Sequence, residues 1–220
     1  MEKYAIIVAG GKGKRMNTET PKQFLQVAGK PLLMHTLNKI FGIDESLKII
    51  LVLPEPFIDF WISLCNRFDF TVPHKVVEGG KTRFDSVKCG LESIATESLV
   101  AIHDGVRPLV SSSTWKSVFK KAEILGNAIP VVKLNESMRH ISEHNSNPVK
   151  RQDYRLIQTP QCFHSKLIMK AYKQAYQEEF TDDASVVEAL GEKINLVDGN
   201  FENIKITRPV DLRFAESFLK

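Results

Sequence analysis

Tyr4-Ala5-Ile6-Ile7-Val8-Ala9, followed at once by Gly10-Gly11-Lys12-Gly13-Lys14-Arg15-Met16 and then by Pro21-Lys22-Gln23, is the stretch on which the fold turns. Its first part is a continuous apolar run that reads as a strand buried on both faces, the pattern of a parallel sheet. The glycines after it leave backbone amides open to an approaching anion, and Lys12, Lys14, Arg15 and Lys22 ring the same loop with positive charge. A cationic glycine loop at the carboxyl end of a first strand lies where open parallel sheets bind ligands, which suggests a polyphosphate site. The loop matches neither standard fingerprint. Met16 stands where a dinucleotide motif needs its last glycine, and Arg15 follows Lys14 where a Walker loop needs Ser or Thr. Glycines alone also serve a tight chain reversal, so the cations carry the ligand reading.

Downstream, apolar runs alternate with amphipathic stretches. Strands are expected at Tyr4 to Ala9, Lys48 to Leu53, Val72 to Val77, Leu99 to His103 and Ala128 to Lys133. Helices are expected between them at Pro31 to Phe41, Pro56 to Phe68, Thr82 to Ile94 and Ser113 to Leu125. This βαβα order predicts an α/β fold with a doubly wound, mostly parallel sheet. Pro31 suits a first helical turn, Ser111 to Thr114 offer capping hydroxyls, and Gly126 suits the position past a helix end.

The alternation stops after Lys133. Leu134 to Leu156 is polar and rich in turn residues, with Glu143-His144-Asn145-Ser146-Asn147-Pro148 at its centre, and it reads as a β-hairpin arm leaving the sheet or as a surface loop. Helices at Ser165 to Gln177 and Asp182 to Leu190, a strand at Lys193 to Val197 and a helix at Pro209 to Leu219 complete the pattern. One domain over residues 1–220 is expected, since 220 residues with 43% hydrophobic content can bury one core.

A net charge of +4 spread along the chain gives no basic stripe of the kind nucleic acid selects. Cys65, Cys89 and Cys162 are odd in number and far apart, which fits reduced thiols in a cytoplasmic protein. The N-terminal apolar run is too short for a signal segment, and no later run approaches a membrane span.

Four further segments can carry chemistry. Glu78 to Ser86 pairs a Gly79-Gly80 turn with Arg83 before a helix; it can hold a base edge, or be a plain strand-to-helix turn. In Ile102 to Pro108, Asp104 reads as a Mg²⁺ ligand shared with substrate phosphates or as the ion-pair partner of Arg107 in a turn. His103 beside it reads as packing rather than as a base, because a phosphate nucleophile needs no proton removed at neutral pH. Thr181 or Asp182 caps a helix in Phe180 to Ser185, and Lys205 alternates with Ile204 and Ile206 in a short strand, solvated or aimed into a site.

In order, the segments AGGKGKRM (9–16), PKQFL (21–25), GGKTRFDSV (79–87), IHDGVRP (102–108), ESMR (136–139), KRQDYRLIQTPQCF (150–163), TDDASVVE (181–188) and NIKITRP (203–209) resemble the 2-C-methyl-D-erythritol 4-phosphate cytidylyltransferase family. The resemblance runs from Ala5 to Leu219. It implies a Rossmann-like nucleotidyltransferase fold and transfer of the cytidylyl group of CTP to a methylerythritol 4-phosphate, releasing pyrophosphate, with Mg²⁺ as cofactor. Arg15 and Lys22 would take the family's transition-state positions. Ala9, Gly10, Gly11, Gly13, Gly80, Lys81 and Ser86 would serve CTP, with Gly105 near the ribose. Asp104, Arg107, Ser137, Arg151, Thr181 and Lys205 would line the acceptor pocket, with Arg151 and Lys205 positioning its phosphate.

In this family the arm, residues 133–154, crosses to a second subunit, which implies a homodimer in which Arg151 serves the partner's site. Ser137 stands where members often carry threonine, and Lys81 where some carry an acidic residue. A ribitol 5-phosphate cytidylyltransferase is similar in fold, CTP site and arm, but TDDASVVE and NIKITRP look more like the methylerythritol branch. A nucleotide-binding regulatory protein without turnover is the alternative from another class, and the presence of Arg15, Lys22, Asp104 and Lys205 argues against it.

Overall fold

A computed structural model describes residues 1–11 and 20–219. Three parallel strands lie at its centre: β1 (Glu2–Val8), flanked by β4 (Lys48–Leu53) and β6 (Ser98–Asp104). Side chains alternate across each strand, and both faces are apolar. Ala5, Ile7, Ile49, Leu51, Leu99 and Ala101 enter one core, while Tyr4, Ile6, Ile50, Val52, Val100 and Ile102 enter the other. The helices cover these two faces. α1 (Leu32–Phe41), α2 (Ile58–Arg67) and α4 (Ser112–Leu125) pack on the first, and α3 (Arg83–Leu91), α5 (Ser165–Ala171) and α6 (Asp183–Glu188) on the second.

Among the described residues the main sheet has eight strands. Beyond β4 lies β5 (Lys75–Glu78), also parallel. Beyond β6 come β11 (Gln161–His164) and β7 (Asn127–Lys133), with β10 (Arg155–Ile157) and β12 (Leu196–Asp198) also paired to β7. The chain passes from β1 outward to β4 and β5 and then returns across β1 to β6. That reversal makes β1 the topological switch point, and the crevice at its carboxyl end is where such sheets place ligands.

The expected doubly wound, mostly parallel sheet is present, with differences at particular elements. β5 begins at Lys75 rather than Val72, because Pro73 has no N–H to donate and the Val72 carbonyl instead accepts from His74 Nδ1 at 2.7 Å. β11 has no counterpart in the sequence reading. It is a four-residue buried strand running antiparallel between β6 and β7, too short for periodicity to register. α5 stops at Ala171, where Gln174 Nε2 donates to the carbonyls of Ala171 and Val186. The expected strand around Lys205 is not a strand: beside local turn bonds from Asn203 and Ile204 N–H, a bond from Ile206 N–H to the Val106 carbonyl at 3.0 Å ties that segment down.

Capping follows the sequence more closely. Ser111 Oγ accepts from the Thr114 amide at the start of α4, and Gly126 closes it at φ +86°. Pro31 is the N-cap of α1, just before its first turn. The polar stretch after Lys133 forms a two-stranded hairpin, β8 (Met138–Ser142) with β9 (Asn145–Val149), separate from the main sheet. A last helix, α7 (Pro209–Leu219), contributes the buried Ala215 to a third, smaller core with Val27, Leu32, Val106 and Ile206. Of the cysteines, Cys162 is buried and Cys65 and Cys89 are half-buried, all as free thiols. Among the described residues no helix is long and apolar enough to cross a membrane.

Candidate active site

The carboxyl ends of β1, β4 and β6 open into a cavity of about 280 Å³ lined by Ala9, Gly10, Gly11, Lys22, Gly80, Lys81, Arg83, Ser86, Asp104 and Lys205, among others. Register aligns these ends: Val8 pairs with both Val52 and Asp104. Backbone bonds then fix the loops that leave them, from Ala9 N–H to the Val52 carbonyl, Gly79 N–H to Leu53 and Gly105 N–H to Val8, at 3.0, 2.8 and 3.0 Å. Among the described residues, four cations, Lys22, Lys81, Arg83 and Lys205, face this cavity against one carboxylate, Asp104. Such a lining selects an anion of high charge.

Lys22 reaches the cavity from a 3-10 turn, Lys22–Phe24, anchored by Phe24 against Phe60 and Trp61. Its side chain is buried and its ammonium donates to the Ile206 carbonyl at 2.8 Å, while neighbouring Gln23 donates to the Ala9 carbonyl at 2.7 Å. Opposite lies the Gly79-Gly80 turn. A Cβ on Gly80 would sit 2.2 Å from Asp85 Cβ, so the turn can lie this close to the start of α3 only as glycine. Thr82 and Asp85 form a capping box there. Ser86 Oγ donates to the Thr82 carbonyl at 2.9 Å, and this side chain stands between the two glycine loops.

A second cavity, of about 240 Å³, adjoins through shared residues and is lined by Arg83, Asp104, Arg107, Thr159, Gln161, Thr181, Asp182 and Lys205 among others. Asp104 is its hub. One carboxylate oxygen accepts from Lys205 Nζ at 3.2 Å and lies 4.0 Å from Arg83 Nε, and the other accepts from Arg107 Nε at 2.9 Å. Burial alone would raise its pKa, but the charges of Lys205, Arg107 and Arg83 outweigh burial and hold it well below the usual carboxylate range. Arg83 is itself clamped by buried Asp183 through two bonds of 2.8 and 2.6 Å, and Asp183 also accepts from Tyr172. Burial and that carboxylate lift Tyr172 well above the ordinary phenol value. Just before α6 stands Asp182, whose carboxylate accepts from Ser185 N–H and from Gln161 Nε2. The cap is therefore Asp182, and Thr181 beside it lines the second cavity.

Asp104, the expected Mg²⁺ ligand, is engaged by cations here. Both oxygens of Asp104 already accept from cations, which matches the ion-pair reading of this turn. Among the described residues no cluster of three His, Cys, Asp or Glu side chains could hold a metal ion. Mg²⁺ favours few carboxylates plus phosphate oxygens, so nothing in the described chain forms a cage for it.

Of the residues expected in the site, Ala9, Gly10, Gly11, Lys22, Gly80, Ser86, Asp104 and Lys205 line the first cavity, and Arg107 and Thr181 the second. Gly105 lies behind them, its carbonyl accepting from Thr36 at 3.0 Å. Gly13 and Arg15 fall outside the described residues. Ser137 and Arg151 are exposed at the base of the hairpin and line neither cavity. Arg151 instead donates to the Asn135 carbonyl and faces a separate cavity with Lys133 and Arg155. Arg83, Asp183, Thr159 and Gln161 also shape the site without being expected there from the sequence. Arg83 and Asp183 are a hundred residues apart, and no local spacing announces their pairing.

The IspD family, 2-C-methyl-D-erythritol 4-phosphate cytidylyltransferase, matches residues 4–220. Proteins of that name from Bacteroides fragilis and Phocaeicola vulgatus are 50% and 49% identical over 219 and 216 residues, covering 100% and 98% of this chain and 100% and 99% of theirs. Among solved structures, the 4-diphosphocytidyl-2C-methyl-D-erythritol synthase from Anaerococcus prevotii superposes with a TM-score of 0.82 at 29% identity, covering 98% of this chain and 97% of that one. The Thermus thermophilus 2-C-methyl-D-erythritol 4-phosphate cytidylyltransferase gives 0.78 at 32% identity, with 99% and 98% covered. With the cationic cleft at the switch point and a match along nearly the whole length, this chain belongs to the 2-C-methyl-D-erythritol 4-phosphate cytidylyltransferase family.

Proposed function

We propose that this protein transfers the cytidylyl group of CTP to the phosphate of 2-C-methyl-D-erythritol 4-phosphate, giving 4-diphosphocytidyl-2-C-methyl-D-erythritol and pyrophosphate in the non-mevalonate isoprenoid pathway. The observation that carries the reading is the pair of adjoining cavities that share Asp104, Arg83 and Lys205, one under the glycine loops and one beyond Asp104. Two anionic substrates need two such subsites with cations between them. Attack of one phosphate on another brings like charges together, so alignment and neutralisation are the catalytic task and no general base is required.

In this reading CTP lies along Gly10, Gly11 and the Gly79-Gly80 turn, with Ser86 near the base and Gly105 near the ribose. Lys22, together with Arg15 by family resemblance, stabilises the charge that builds on the α-phosphate. Lys205 and Arg107 receive the acceptor, and Thr181 supplies a hydroxyl. Mg²⁺ fits as an ion carried by the triphosphate, where it would neutralise phosphate charge. Residues 1–220 act as one cytoplasmic domain whose arm, 133–154, pairs two copies, so that Ser137 and Arg151 complete the partner's acceptor pocket. Supporting the arm's role, Ile141, Tyr154 and Leu156 are 69%, 46% and 54% exposed on it and beside it.

The test is pyrophosphate release with CTP and Mg²⁺ against methylerythritol phosphate, ribitol 5-phosphate and a sugar 1-phosphate. Release with the first supports the reading. Release with ribitol 5-phosphate alone replaces the acceptor, and release with none leaves a nucleotide-binding protein without turnover.

A further inference from the structure

His103 sits near the end of β6, fully buried, its ring edge-on to Trp115 at 5.5 Å. Its Nε2 has a partner that fixes the direction of the bond, and its Nδ1 faces a hydroxyl that can serve either way. Nε2 lies 3.1 Å from the Arg107 carbonyl, which can only accept, so Nε2 carries the proton. Burial pushes this imidazole down to about 4, so it is neutral near pH 7 and Nδ1 is bare. Nδ1 then accepts from the Thr159 hydroxyl at 2.9 Å, and the same hydroxyl accepts the Asp104 amide at 3.1 Å. The chain of donors runs one way, from Asp104 N–H to Thr159 to His103 to the Arg107 carbonyl.

The two ends of this chain are the backbones of Asp104 and Arg107, the residues whose side chains pair across the cleft floor. Thr159 extends the network further, its carbonyl accepting from Asn203 Nδ2 at 2.9 Å, while Arg107 Nη1 donates to the Asn203 carbonyl at 2.7 Å. Lys205 lies two residues beyond. The glycine loops on the nucleotide side are held by other bonds, to Val52 and Leu53.

We propose that His103 is a positioning residue for the acceptor, acting through its bonds with Thr159 and the Arg107 carbonyl to set Asp104, Arg107 and Lys205. It touches no substrate. The proposal rests on the assignment of the second cavity to the polyol phosphate.

His103→Phe keeps a ring against Trp115 and removes both bonds. Thr159→Val removes the hydroxyl relay with little change of shape, and Thr159→Ser restores it. With whichever polyol phosphate the wild-type enzyme turns over, His103→Phe and Thr159→Val should each raise the acceptor KM about tenfold, the worth of a lost buried hydrogen bond, and raise the CTP KM far less. Thr159→Ser should return to near wild type, and the double variant should be little worse than either single one. Equal effects on both substrates, an unchanged acceptor KM, or additive effects in the double variant would overturn the proposal. A second readout needs no turnover: ¹⁵N spectra of the imidazole at pH 7 should show a neutral Nε2–H ring whose Nδ1 signal moves in Thr159→Val. An Nδ1–H tautomer, or no response to that substitution, would also refute it, and absence of turnover with every acceptor would instead refute the functional assignment.

Discussion

Lys22→Met tests the catalytic reading most directly. Methionine keeps an unbranched stem in the buried slot, so the change deletes a charge rather than a packing element. The ammonium it removes is held 2.8 Å from the Ile206 carbonyl and faces the cavity beneath Gly10 and Gly11. A unit charge about 4 Å from the developing anion, at an effective dielectric of about 20, attracts it by about 4 kcal/mol. The same cation also attracts the ground-state triphosphate, so only part of this lowers the barrier. Preorganised donors elsewhere are worth about 2.7–4 kcal/mol, which corresponds to a loss of roughly a hundred- to a thousand-fold in kcat. Steady-state pyrophosphate release on folded variant, with CTP KM measured alongside, gives the number; kcat should fall by more than CTP KM rises. The exposed Lys39→Met on α1 controls for net charge and should leave kcat unchanged. A Lys22→Met enzyme within tenfold of wild-type kcat would refute the assignment.

Asp183→Asn strips the buried partner from Arg83, and breaking such a pair costs about 3 kcal/mol, which for a chain of this size lowers Tm by roughly 6–12 °C in a calorimetric scan. His103 gives a pH dependence with a defined sign. The folded imidazole titrates at about 4 against an ordinary 6.5, so the unfolded chain binds the extra proton and stability is lost as pH falls between those values. Between pH 7 and pH 5 that loss is about 2 kcal/mol in urea unfolding, and His103→Phe should show a smaller loss over the same interval. For the arm, mixing Arg15→Ala with Arg151→Ala chains should restore part of the activity in mixed dimers; no recovery despite demonstrated subunit exchange counts against a shared site.

The central sheet was legible because its strands are buried on both faces, so Tyr4–Ala9 and Ile49–Leu53 stand out as unbroken apolar runs. The cleft was legible where its lining falls on consecutive residues, as in Ala9-Gly10-Gly11. What failed to show in the sequence depends on contacts made at long range. β11 is a strand because β6 and β7 offer edges to it, and its four residues carry no periodicity of their own. Arg83 reads as one more cation of a helix start until Asp183, a hundred residues later, clamps it over Asp104. Asp104 reads equally as a metal ligand or an ion-pair partner, and its pairing with Lys205, a hundred and one residues away, is invisible to local spacing.

The segment around Lys205 explains how two cations from opposite ends of the chain come to share one cleft. Asn203 to Ile206 has no sheet ladder, yet Asn203 and Ile206 are fully buried. Its backbone is used by the site instead: the Asn203 carbonyl accepts from Arg107, Ile206 N–H donates to Val106, and the Ile206 carbonyl accepts from Lys22. Lys22, which the proposal places on the nucleotide side, is thus bonded to the residue next to Lys205, which it places on the acceptor side. In the proposed reaction the attacking and attacked phosphates must meet in line within a few tenths of an ångström. A strand committed to a ladder would have spent these backbone groups on its neighbours; left out of the sheet, they are available to hold Lys22 and Arg107 in fixed relation to Lys205.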